Sequence, residues 1–151
     1  MARNGITIRV LRKKEFAESM MKKTAAILAA EGKAIAQATR LVEGTAKTSI
    51  AKEGSFREYI SRITKVSHWS SQPGSPPASD TGNLANNISS GVEKEGNSWV
   101  GRVISRAIYS AWLEFGTKHI EARPFMFPAL FDNRKKIRKL VRDALVKGLN
   151  K

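Results

Sequence analysis

A chain of 151 residues with 41% apolar content suits one domain with a modest core, and 27 Lys and Arg against 13 Asp and Glu give it a net charge of +14. The lack of cysteine excludes disulfide frameworks and thiolate metal sites and leads us to expect a reducing compartment. No apolar run approaches the ~18 residues of a membrane span, and MARNGITIRVLRKKEF has charge without the apolar core of a signal peptide. The expectation is a soluble intracellular product, without a membrane, that meets a polyanionic or acidic neighbour.

In chain order, Ile6 to Leu11 alternates apolar and polar residues, as a short strand or a basic arm within residues 1–14 would. Phe16, Met20, Ile27, Leu28, Ile35, Ala38, Leu41 and Val42 then recur mostly at three- and four-residue steps among dense alanines. This predicts one amphipathic helix over roughly 15–50, weakened at Gly32 and Gly44 by about 1 kcal/mol each. Its length suggests that it packs against more than its own chain. In EGSFREYISRITKVSHW, Ser55 and Glu58 could form a capping box, and Phe56, Tyr59, Ile60, Ile63 and Val66 fit a short helix. The β-branched and aromatic content also fits a strand, and helix or mixed structure is the preferred reading.

SSQPGSPPAS, within a Pro/Ser-rich loop over 70–80, holds three prolines, one glycine and four serines in ten residues. Beyond it a hairpin is predicted, with strands at about Ile88–Glu93 and Trp99–Ser105 around the turn KEGN. AIYSAWLEFGT reads as a short helix that Gly116 ends in a left-handed conformation, and HIEARPFMFPAL as a bend stiffened by Pro124 and Pro128. A second amphipathic helix covers Leu130 to Lys151, with Ile137, Leu140, Val141, Ala144, Leu145 and Leu149 as its apolar stripe. Eight basic and two acidic residues from Asp132 onward give it a net charge of +6. The expected class is α+β, a single domain over 1–151 with a long N-terminal helix and a C-terminal helix packed on a small antiparallel β-sheet.

Asp80-Thr81-Gly82 is the triplet that aspartic proteases use to activate water. There the aspartate follows an apolar strand that buries it; here it follows PGSPPAS. Asp80 and Thr81 are better read as starting a turn or cap, with Gly82 supplying special backbone angles and Leu84 anchoring the next segment. His119, Glu121 and Glu114 match no metal spacing, His68 stands apart, and no nucleophile triad or phosphate-binding loop is suggested. No catalytic, cofactor-binding or metal residue is assigned, and an enzyme is not expected.

Three blocks in order carry more information: SDTGNLANNI (79–88), YSAWLEFGT (109–117) and ARPFMFPAL (122–130). Together they resemble a family of tailed-bacteriophage neck and tail components, encoded between the head-connector and tail-tube genes, over roughly residues 15–150. Lys52 to Ser71 departs from it, being longer and more aromatic. The resemblance implies a structural virion protein at the head–tail junction, assembled in the host cytoplasm. It implies a homo-oligomeric ring, commonly a hexamer, that completes or terminates the tail tube and docks on the head connector. DNA would pass through its channel. A head-closure or connector ring, and a basic DNA-binding accessory protein, are the alternatives.

Thr81, Gly82, Leu84, Gly116 and Thr117 are the expected structural turns. Tyr109, Trp112, Glu114, Phe115, Arg123, Pro124, Phe125 and Met126 are the candidate assembly interface, although core packing is the ordinary reading for Leu113, Phe115 and Phe125. Glu114 lies among apolar residues and needs a partner; Arg123 is the nearest basic candidate, within the chain or across an interface. Phe125, Met126 and Phe127 on a proline-stiffened loop suit docking, because little entropy is lost on binding. Arg134, Lys135, Lys136, Arg138, Lys139 and Arg142, with Arg9, Arg12, Lys13 and Lys14, could face solvent, DNA phosphates or acidic neighbouring rings.

Overall fold

Regular three- and four-residue spacing of small and apolar side chains produces the element that organises the rest. In the computed structural model α1 spans Lys13–Ala51, 39 residues, or about 58 Å at the α-helical rise. The described residues are 13–51, 56–60, 67–79 and 81–150, with backbone alone at 13, 51, 56–60 and 67–70. The expected N-terminal strand or arm with Arg9 and Arg12, the capping box at Ser55, Ile63, Val66 and Asp80 lie outside them.

Ala34, Ala38, Val42, Ala46 and Ile50 step along α1 by four residues, and all are buried. Such a narrow strip of small side chains lets a second helix approach closely. That helix is α4 (Met126–Leu149), which runs antiparallel to α1. Near its start Asn133 Nδ2 donates to Thr45 Oγ1 at 2.9 Å. Near its end Gly148 lies so close that a Cβ there would sit 2.9 Å from Ile27 Cα.

The chain between them runs β1 (Phe56–Ile60), β2 (Ser67–Ser71), α2 (Asn83–Asn86), β3 (Ile88–Glu95), β4 (Ser98–Ser105) and α3 (Ser110–Phe115). The strands form two separate antiparallel hairpins, β1–β2 and β3–β4. This α+β architecture has the two helices and antiparallel pairing expected, with the pairing divided between two ribbons. Over Phe56–Ile60 the preferred reading of helix or mixed structure is corrected to strand: Phe56 pairs with Ser71 and Ile60 with Ser67. Aromatic and β-branched residues take the extended form once a partner strand is present, and the serine-rich SHWSS supplies it.

β3–β4 packs on α1 through two close approaches. Trp99 Nε1 donates to the Leu28 carbonyl at 2.8 Å, and its ring lies where a Cβ on Gly32 would come within 2.7 Å. Further along, a Cβ on Gly101 would sit 2.2 Å from Thr39 Cγ2. Thr39 Oγ1 is satisfied inside its own helix by the Ile35 and Ala36 carbonyls, both at 3.1 Å, so its methyl can face the strand. The hairpin turns tightly at Gly96-Asn97, with Gly96 at φ 60°. Where the helices and this hairpin converge, Val42, Ala46, Ile50, Leu84, Ile88, Ala107, Phe125 and Ala129 form the core.

The C-terminal helix starts at Met126, four residues before the expected Leu130. Pro128 therefore stiffens the first helical turn rather than a bend, a position where its missing N–H leaves no intrahelical bond unmade.

Candidate functional site: an exposed apolar groove and its supporting bend

The groove owes its shape to α3 and the loop into α4. Both oxygens of Glu114 face the start of α4. Oε2 accepts from the Phe125 and Met126 amides, each at 2.9 Å, and Oε1 from the Phe127 amide at 2.8 Å. A helix start leaves four amides without intrahelical acceptors. Here one carboxylate takes three, and the fourth position is Pro128, which has none. The negative charge also lies at the positive end of the helix dipole.

This overturns the intrachain Glu114–Arg123 pair. Arg123 turns the other way, its Nε donating to the Ser71 carbonyl at 3.2 Å and its amide to the Leu113 carbonyl at 2.6 Å. A ready-made cluster of amides outcompetes a guanidinium that the loop already uses to hold the end of β2.

The loop between α3 and α4 is fixed at Gly116, with φ 75° and ψ 176°. The positive φ agrees with expectation, but the extended ψ does not belong to a left-handed cap. The backbone has to run out straight so that the Thr117 amide can reach the Ile120 carbonyl at 2.7 Å. A Cβ on Gly116 would also lie 2.9 Å from the Ile120 oxygen. Thr117 Oγ1 accepts from the amides of His119 and Ile120 at 3.2 and 3.1 Å. Upstream, Gly82 is left-handed at φ 73° and ψ −2° and starts α2, whose Leu84 enters the core. The Asn83 amide meets Thr81 Oγ1 at 3.4 Å, and Asn83 Nδ2 donates to the Tyr109 hydroxyl at 3.1 Å.

This framework leaves large apolar side chains outside. Phe115 is 81% exposed and Phe127 is 64% exposed, with Trp112, Leu130 and Phe131 about half exposed. Phe127 and Phe131, one helical turn apart, stack with centroids 5.7 Å apart. The Arg134 guanidinium lies 3.6 Å over the Phe131 ring, a cation–π contact. Of these side chains, Phe115, Phe127 and Leu130 border a groove of about 440 Å3 whose floor includes Ile35, Ala38 and Val42 of α1, with Val103 of β4 and Ile137 of α4 in its walls; Trp112 and Phe131 lie outside its lining.

The candidate interface is thus divided. Trp112 and Phe115 are exposed; Tyr109, Glu114, Arg123, Pro124 and Met126 are half-buried. Phe125 is 1% exposed and belongs to the core, in line with its ordinary reading and against its candidacy as a docking residue, whereas the ordinary core reading of Phe115 is corrected by its exposure. Leu130 and Phe131, which sequence reading left out, are exposed. The proline-bounded FMFPALF hinted at them only if its helix was recognised from Met126.

Arg134, Lys135, Lys136, Arg138, Lys139 and Arg142 are all exposed. At about 100° per residue, Lys135, Arg138, Lys139 and Arg142 occupy an arc of roughly 100° opposite the side that packs on α1, with Arg134 at its edge. Lys136 falls outside it, on the side of Asp132 and Asp143. Elsewhere, Lys47 and then Ser90 hold the Glu43 carboxyl below its ordinary range by hydrogen bonding. Among the described residues no group of three His, Cys, Asp or Glu could hold a metal ion, and no helix is long and apolar enough to cross a membrane.

A family model described as "Bacteriophage HK97-gp10, putative tail-component" matches residues 11–116. No curated protein and no solved structure matches the chain. The matched stretch runs from α1 to the Gly116 turn, and the basic helix α4 lies beyond it.

Proposed function

Because the chain belongs to the HK97-gp10-like tail-component family, we propose that it is a ring-forming tail-completion or tail-terminator subunit at the neck, joining tail tube to head connector. A tail component is a structural part of the virion. The observation that carries the finer reading is the uncovered groove with Phe115, Phe127 and Leu130 at its edge. A patch of this kind marks a protein interface, and its rigid aromatic anchors are the residue type that dominates binding energy. Cyclic repetition of one such contact closes a ring. The basic stripe of α4 then has two uses, toward DNA in the channel or toward acidic neighbouring rings.

The test is a phage lacking this chain, observed by electron microscopy beside the purified protein. Filled heads with separate or overlong tails, and purified rings with a central hole, support the reading. Normal-length tails beside heads that lose DNA would favour head closure. A purified monomer that shifts DNA at physiological salt would favour the accessory DNA-binding protein.

A further inference from the structure

The strip of α1 that α4 covers does not end where α4 ends. Ile27 lies against Gly148, at the last turn of α4. Phe16 and Met20 continue that strip toward the N-terminus at helical spacing, and every residue from Lys14 to Ala25 is exposed. Phe16 is 69% exposed and Met21 is 73% exposed. One chain therefore carries an uncovered amphipathic helix end and, elsewhere, an uncovered apolar groove.

We infer that residues 14–25 of α1 in one copy seat in the groove between α1, β4, α3 and α4 of the next copy, giving a head-to-tail contact. This rests on the ring reading above and names the surfaces that make the ring. A second copy is favoured as the occupant on three grounds. The helix end cannot fill its own groove: α1 is continuous, and Phe16 stands roughly 28 Å along it from Ile35 in the groove floor. The lengths match, since twelve helical residues span about 18 Å and the α4 wall from Phe127 to Ile137 about 15 Å. A two-fold contact through α4 would set Arg138 and Arg142 opposite their own copies, at a cost in repulsion, whereas a head-to-tail contact keeps the two basic stripes apart. Two different patches joined in this way repeat round an axis.

The helix end and the groove can be disabled separately in the full chain. Phe16→Glu removes the first and Phe127→Glu the second, both at exposed positions, with circular dichroism confirming unchanged helix content. In sedimentation velocity the wild type should form closed oligomers, and each variant alone should be a monomer, its self-association weakened at least 100-fold. An equimolar mixture should form a one-to-one dimer and nothing larger, because it has one intact helix end and one intact groove. Met20→Glu paired with Leu130→Glu, an exposed residue of the groove lining, should repeat the pattern. If either Phe variant assembles like wild type, or the mixture stays monomeric, this contact is wrong while the ring reading survives. A wild type that stays monomeric at every concentration would overturn both.

Discussion

The two halves of α1 share one helix and one alanine-rich composition but have opposite surroundings. From Ile27 to Ile50 the helix is covered by α4 on one side and by the β3–β4 hairpin on another, and Ala46 and Ile50 are almost wholly buried. From Lys14 to Ala25 nothing described covers it. Helix propensity and apolar spacing are similar in both halves, so neither decides burial. The deciding factor is the length of the neighbours: α4 ends at Leu149, with Gly148 against Ile27, and Trp99 of the hairpin meets α1 at Leu28.

The largest expected effect sets these halves against each other. Ile50→Ala should cost about 2–5 kcal/mol by leaving a core cavity. That lowers the melting temperature by about 5–15 °C for a chain of this size. Met20→Ala, equally apolar by sequence, should shift the monomer's melting by less than about 2 °C. Equal shifts in thermal melting would break the contrast, because the helix start would then be covered within the monomer.

Glu114→Ala comes next, since it releases the packed half's partner helix at its first turn. Three amides lose their acceptor, at about 1–3 kcal/mol, and Glu114→Gln should restore part of this through its remaining oxygen. Hydrogen exchange at Phe125, Met126 and Phe127 should accelerate, whereas amides near Asn133 should change little. Unchanged exchange at those three residues would remove the cap.

The two glycines of α1 sharpen the boundary further. Gly44 has open space where a Cβ would lie, so Gly44→Ala should stabilise by about 0.5–1 kcal/mol. Gly32→Ala gains the same helix propensity but drives a Cβ toward the Trp99 ring, for a net loss of about 1–2 kcal/mol. Trp99 fluorescence should shift in Gly32→Ala alone. Stabilisation by both substitutions would show that the hairpin does not hold this stretch.

The smallest effect depends on pH. Glu43 meets Lys47 at 2.6 Å and Ser90 at 2.5 Å across to β3, and its folded pKa is lowered, chiefly by Lys47. The unfolded state therefore binds more protons in this range. The contribution is complete above the unfolded value of about 4.3 and is lost as pH falls through the folded one. Glu43→Gln should cost about 0.5–1 kcal/mol near pH 7, the exposed Lys47 limiting the effect. The difference from wild type should fade on acidification below about pH 4. A difference constant with pH would mean that packing, not charge, is lost.

Local pattern was enough for the span of α1, the β3–β4 hairpin and the positive φ at Gly82 and Gly116, because each depends on side-chain periodicity or backbone sterics within a few residues. It also showed that Glu114 needed a partner, since a carboxylate among apolar residues always does. Which partner was a tertiary matter. The amides of Phe125, Met126 and Phe127 became acceptor-hungry only once α4 began at Met126, and the fold turned Arg123 toward Ser71. The same start of α4 sent Phe125 inward and left Phe127 and Phe131 outside, a distinction that adjacent phenylalanines cannot carry in composition. Gly32 is a weakness by helix propensity alone, whereas in the fold the ring of Trp99, far along the chain, occupies the space it leaves. The strands at Phe56–Ile60 and Ser67–Ser71 depended likewise on each other, because an extended segment satisfies its backbone only through a partner that its own residues do not specify.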